Sequence, residues 1–258
     1  MAPPPPLLDV AGLSISFGGV VALSGVDLAV GAGQIFALIG PNGAGKTTVF
    51  NVITGLYRPS AGHVSFDGHD LLSLAPHAVA CLGVARTFQN TEVFRGLSAL
   101  DNVLIGEHAH LTGGVVAAAL GLPRVRREEA RARHRARALL ARVGLADVAP
   151  LDAAGLPLGF QKRLELARAL ALEPRLLLLD EPAGGLNPTE TQSLMELIRR
   201  LRDDANLTIL LVEHNMELVM GVSDRVAVLH YDKKLAEATP GEVGRDPAVI
   251  EAYLGADE

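Results

Sequence analysis

Apolar and polar residues alternate along the first 33 positions, as in "LSISF" and "VDLAV", with Gly18-Gly19 between the two runs. A period of two sends successive side chains to opposite faces, so the pattern predicts short antiparallel strands. "GHVSFDGHDLL" (62–72) reads as a hairpin turning at Asp67-Gly68. Further on, short apolar runs alternate with helical periods. Strands are expected at Gln34–Ile39, Leu176–Asp180, Leu207–Val212 and Arg225–His230. Near-continuous runs such as "RLLLLD" fit a parallel sheet covered on both faces. The segment Thr189–Arg202 sets Leu194, Leu197, Ile198 and Leu201 on one helical face, with Asn187 as cap and Pro188 as first position.

The middle is different. Residues 96–160 are helical or loop in character and include "RVRREEARARHRARALLAR", with eight arginines between 124 and 142. Its apolar face is thin: Ala132, Ala136, Leu139, Leu140 and Val143. It reads as a solvated helix of a surface subdomain. Contact with anionic lipid headgroups beside a membrane partner is the other reading.

Composition narrows the class. The 258 residues are 49% hydrophobic and 20% charged, enough for one large core or a core with a subdomain. The net charge of -6 gives no basic excess, so nucleic acid is not an expected partner. The single cysteine, Cys81, excludes an intramolecular disulfide. The start, "MAPPPPLLDV", has neither a basic n-region nor an apolar h-region, and residues 1–6 are expected to be a disordered tail. No stretch reads as a membrane-spanning helix. The run Leu28–Gly45 is broken by five glycines and a proline, and Leu111–Pro123 is too short.

Two motifs carry chemistry. "GPNGAGKT" (40–47) fits G-x-x-x-x-G-K-[ST], follows the apolar strand "IFALI" and opens the helix "KTTVFNVITGL". Gly40, Gly43 and Gly45 let backbone N–H groups turn inward around phosphate, with Pro41, Asn42 and Ala44 completing the loop. Lys46 is expected to reach the β- and γ-phosphates, Thr47 to ligate Mg²⁺ and Thr48 to bond the α-phosphate of ATP. "LLLLDE" (176–181) supplies the second half: Asp180 to hold Mg²⁺ through water, Glu181 to polarise the attacking water. "TILLVEH" ends a strand at His214, near enough to Asp180 for the γ-phosphate, and "RTFQN" sets Gln89 at another strand end.

In this order the pieces resemble the ATP-binding cassette family over about residues 7–255. The resemblance implies one α/β domain: a P-loop NTPase, RecA-like core (7–95 and 160–255), an N-terminal antiparallel β subdomain and an inserted helical subdomain at about 96–160. It implies Gln89 as the Q-loop and a further Mg²⁺ ligand, Phe17 stacking on adenine, "AGGLNP" (183–188) as the D-loop and His214 as the switch. It also implies a head-to-tail dimer, each ATP held between one P-loop and the other subunit's signature.

That signature usually reads Leu-Ser-Gly-Gly-Gln. Here the segment is "LPLGFQ": Leu156, Pro157, Leu158, Gly159, Phe160, Gln161. Together with "RTFQNTEVFRGLSALDNVLIGEH" and the terminal "VIEAYLG", it is similar to the ATP-binding subunits of bacterial branched-chain amino acid importers, where a Leu-Pro-aromatic-Gly-Gln-Gln form is common. Leu158 and Phe160 depart even from that form. Pro157 has neither hydroxyl nor N–H, so anion binding there falls to Gly159 and to the N-terminus of a helix expected from about Phe160 to Leu172.

The implied partners are a second cassette subunit (a paralogue or a second copy), two membrane permeases and, indirectly, a periplasmic or extracellular solute-binding protein. The implied place is the cytoplasmic face of the bacterial inner membrane. A lipid or lipopolysaccharide exporter and a urea or amide importer are the alternatives within the family. A GTPase is disfavoured by the lack of an N-K-x-D motif, and a small-molecule kinase has no counterpart of Glu181 at that place.

Overall fold

The computed structural model describes residues 4–87, 92–107 and 123–254. Gln89 therefore lies outside the described residues. Two sheets make up the β structure of the described residues. The first is antiparallel, in the order β2-β1-β4-β5, from Leu8–Phe17 (β1), Val20–Val30 (β2), Ala61–Phe66 (β4) and His69–Asp70 (β5). β1 and β2 are long rather than short, at 10 and 11 residues. Their alternation looked shorter because the register shifts between Val10 and Leu13 and again after Leu13 and Ile15, and such bulges reset the period of two. The hairpin turns at Asp67 (φ 51) and Gly68 (φ 77), as the Asp-Gly pair requires.

The second sheet has the order β10-β9-β3-β8-β7-β6, from Ile35–Ile39 (β3), Val84–Arg86 (β6), Leu176–Asp180 (β7), Thr208–Val212 (β8), Arg225–His230 (β9) and Lys233–Ala238 (β10). It is parallel except for the edge strand β10. All five residues of β3, of β7 and of β8 are buried. Ile35, Ala37 and Ile39 belong to one apolar cluster, with the helices Leu158–Leu170 and Pro188–Ala205. Phe36 and Leu38 belong to the other, with the antiparallel sheet and the helix Lys46–Ile53. Burial on both faces explains why these strands read as unbroken apolar runs.

The helix Pro188–Ala205 has the expected cap. Asn187 Oδ1 accepts from Glu190 N, and Glu190 Oε2 accepts from Asn187 N. The arginine-rich helix is Pro123–Arg142; it buries Val125, Ala132, Ala136 and Leu140. Its Arg135 pairs with buried Glu107 of the helix Ala99–Glu107. Among the described residues no helix is long and apolar enough to cross a membrane.

The helix after the "LP" segment is Leu158–Leu170, two residues earlier at each end than expected, because Pro157 itself is the N-cap. It runs through the expected subdomain limit at residue 160. On it Glu165 is buried; Oε1 accepts from Glu92 N at 2.9 Å, and Arg168 Nη1 donates to Glu92 O at 2.7 Å. Burial, opposed by the Glu92 N–H, raises the Glu165 pKa above its ordinary 4.5. A carboxyl raised in the folded state stabilises the fold while protonated, and that contribution is lost as pH rises through the raised pKa. Glu165→Gln is therefore expected to match the wild type in acid and to exceed its Tm by a few degrees at neutral pH. Thermal melts of both proteins from pH 4.5 upward check this.

Candidate functional site

The parallel strands deliver their polar ends to one edge of the sheet, where open α/β sheets bind ligands. β3 ends at Ile39 and the chain turns through Gly40–Gly45 into the helix Lys46–Ile53. Gly40 (φ 151) passes so close to Leu229 that a Cβ would overlap its carbonyl oxygen. At Gly45 (φ 92) a Cβ would sit 2.5 Å from Leu23 Cδ2 and 2.6 Å from Ala22 O. The loop encloses a cavity of about 290 Å³ lined by Ala22, Asn42, Gly43, Ala44, Gly45, Lys46, Thr47, Thr48 and Glu181. Lys46 Nζ curls back to donate to Gly40 O at 2.6 Å and Pro41 O at 2.9 Å. Burial lowers its pKa, against the attraction of Glu181 and Asp180.

Asp180 closes β7 and is buried. Its Oδ2 accepts from Arg86 Nη2 at 2.7 Å, and Arg86 Nη1 donates to Asn51 Oδ1 of the P-loop helix at 2.7 Å. The guanidinium lies 5.5 Å over the Phe50 ring. One arginine thus ties the P-loop helix to the acidic strand end. Burial raises the Asp180 pKa, while the Arg86 hydrogen bond pulls it down. Asp180 Oδ1 is buried without a hydrogen-bond partner among the described residues. Glu181 follows at φ 47, a left-handed conformation that costs a non-glycine residue on the order of 1–3 kcal/mol. Its N–H donates to Val212 O at 2.9 Å, and Lys162 Nζ reaches its carbonyl at 3.5 Å.

His214 stands beyond β8 with Nδ1 3.9 Å from Glu181 Oε2. The end of β8 pairs with Asp180 through Val212, and the His214 ring faces Glu181, the next residue. Phe17, at the end of β1, is 43% exposed and does not line the cavity of the Gly40–Gly45 loop. Its ring makes an edge contact with Tyr57, centroids 5.1 Å apart. Arg86, Asn51 and Tyr57 carried no recognisable signal in the sequence. Glu213 did: a charged residue directly following the apolar run "TILLV". It is fully buried.

The "LPLGFQ" segment lies apart from this cavity. Pro157 (φ -54, ψ 151) caps the helix Leu158–Leu170, its carbonyl accepting from Phe160 N and Gln161 N. Leu158 and Phe160 are exposed, whereas Gly159 is buried. Gln161 does not point outward: Nε2 donates to Leu156 O at 2.7 Å and holds the loop to its own helix.

Comparison with known proteins agrees with this arrangement. Residues 23–184 match the family model described as ABC transporter, and residues 233–258 match the one described as Branched-chain amino acid ATP-binding cassette transporter. The high-affinity branched-chain amino acid transport ATP-binding protein BraF of Pseudomonas aeruginosa is 46% identical, over 97% of this chain and 98% of its own. The lipopolysaccharide export system ATP-binding protein LptB of Acidithiobacillus ferridurans is 36% identical over 96% and 97%. Among solved structures, the ADP conformation of MJ1267, an ATP-binding cassette of an ABC transporter, superposes with a TM-score of 0.83 at 29% identity, covering 96% of this chain and 98% of that one. The chain belongs to the ABC transporter ATP-binding family. It is an ATPase with the cassette fold.

A Cβ placed on Gly159 would lie 2.8 Å from Glu190 Oε1, the side chain that closes the cap on Asn187. Gly159→Ala is expected to push the flexible Glu190 side chain out of that cap, at a cost below the roughly 1 kcal/mol of losing the Asn187 cap itself. In a Glu190→Ala background the same glycine substitution should cost almost nothing. Chemical denaturation of the two single variants and the double variant measures that coupling.

Proposed function

We propose that this ATPase energises uptake of branched-chain or other hydrophobic amino acids through partner permeases, at the cytoplasmic face of a bacterial inner membrane. The observation that carries the solute class is the match of the C-terminal residues to the branched-chain amino acid model. The identity to BraF, higher than that to LptB, supports the same choice over lipopolysaccharide export. Import of urea or amides has no comparable support.

At the site, the backbone N–H groups of Gly43–Thr48 and the helix N-terminus take the phosphates of ATP. Lys46 Nζ exchanges the carbonyls of Gly40 and Pro41 for the β- and γ-phosphate oxygens. The residues fit magnesium: Asp180 Oδ1 has no hydrogen-bond partner among the described residues, and Thr47 lines the same cavity as Lys46. Magnesium needs only one or two protein oxygens beside the phosphates; when bound it draws charge from the transferring phosphoryl group. Glu181 orients and polarises the attacking water, and His214, 3.9 Å from it, reaches the γ-phosphate. Gln89 is assigned the remaining contact to the metal and water, and Phe17 the adenine.

The partner subunit's ATP is met in trans by Leu158 and Gly159, whose N–H groups start a helix and so point at an anion. A groove of about 540 Å³ lined by Phe94, Arg95, Ile105 and Arg168 is assigned to a permease loop; Phe94 and Ile105 are exposed in it.

Co-purification of the complex, followed by uptake of labelled leucine into vesicles, tests the solute. Uptake of urea or release of lipid instead would overturn it. Lys46→Ala is expected to abolish ATP binding, whereas Glu181→Gln should bind ATP normally and lose at least about 100-fold in turnover. Nucleotide binding and steady-state hydrolysis separate the two roles. Phe94→Glu should leave hydrolysis by the isolated chain unchanged and reduce the permeases recovered with it.

A further inference from the structure

Glu213 is a charged side chain with no exposed surface, directly after β8. Its two oxygens take three backbone N–H groups: Oε1 accepts from Ala183 at 2.7 Å, and Oε2 accepts from His214 at 3.0 Å and Asn215 at 3.1 Å. Those donors belong to two separate segments. Ala183 lies in the turn that follows Glu181; His214 and Asn215 start the segment leading into the helix Met216–Val222. Only a carboxylate can serve both. An amide has one acceptor oxygen, and its NH₂ would face an N–H; an apolar residue would leave all three donors unpaired in a buried place.

Each bracketed segment also carries a side chain of the ATP site. Glu181 is two residues before Ala183, and His214 is itself one of the donors. Their side chains approach to 3.9 Å. Glu181 is held in a left-handed backbone conformation, which persists only where the surroundings over-determine it. Two bonds do so here, Glu181 N to Val212 O and Ala183 N to Glu213 Oε1.

We propose that Glu213 is a positioning residue that binds the Glu181–Ala183 turn and the His214–Asn215 segment into one unit. The water-activating carboxylate and the switch histidine then keep their spacing, and displacement of either segment moves the other. A strand-ending carboxylate with a purely structural role would stabilise the fold without linking those two side chains. The inference rests on the roles proposed above for Glu181 and His214.

The test is Glu213→Gln in the purified full-length chain, beside His214→Ala and the double variant. Glu213→Gln has nearly the same shape but can satisfy only one of the two segments. ATP affinity, read with a fluorescent nucleotide, should stay within about twofold of wild type, while kcat falls roughly 10- to 100-fold. In the double variant kcat should fall by clearly less than the product of the two single losses, because both changes act on the same unit. Wild-type kcat for Glu213→Gln beside a slow His214→Ala overturns this inference alone. Losses that multiply in the double variant overturn it as well, as does parallel loss of ATP binding and turnover. Wild-type turnover in His214→Ala overturns the role of the histidine, and the inference with it. Should Glu213→Gln fail to fold, Glu213→Asp, which keeps the charge but is one methylene too short to span both segments, is read by the same criteria.

Discussion

The parallel sheet is covered on both faces, and the rest of the molecule follows from that. β3, β7 and β8 have no exposed residue along their length. An unpaired charge there would cost several kcal/mol after relaxation. Charge is therefore held back until each strand leaves the sheet at its carboxyl edge: Asp180 at the end of β7, Glu213 just past β8, the phosphate loop after β3. Even at that edge a carboxylate needs compensation. Asp180 takes Arg86, and Glu213 takes three main-chain donors. Along these strands the chemistry is concentrated at that edge because their interior excludes charge.

The charged groups at this edge find their partners within the protein itself. Lys46 rests on carbonyls of its own loop, which in the function proposed above phosphate oxygens replace without loss of hydrogen bonding. Arg86 neutralises Asp180 through one oxygen and leaves the other unclaimed by the described residues.

Much of this was legible in the sequence because a short motif with its flanking strand and helix is local information. The phosphate loop, Asp180-Glu181, the cap at Asn187 and the thin apolar face of the arginine-rich helix can all be read from consecutive residues or from helical spacing. Contacts made across the sheet cannot. Arg86 is 94 positions from Asp180, and Asn51 is 35 from Arg86; nothing in "VAR" marks its arginine as different from those on the surface. Bulges hid the true length of β1, since each resets the alternation by which strands are counted. Pro157 hid the start of its helix for the opposite reason. A proline that breaks most patterns here caps one.

Gly159 sits in the segment assigned to another subunit's nucleotide, and it is packed against Glu190, which caps the helix following this subunit's own Glu181. The two positions share one small volume. A larger residue at either has to be matched by a smaller or re-aimed one at the other, so they are expected to drift as a pair during divergence. A serine-bearing signature of the usual form keeps a glycine at this place, so an engineer could graft one onto this chain and leave the residue at 190 as it is.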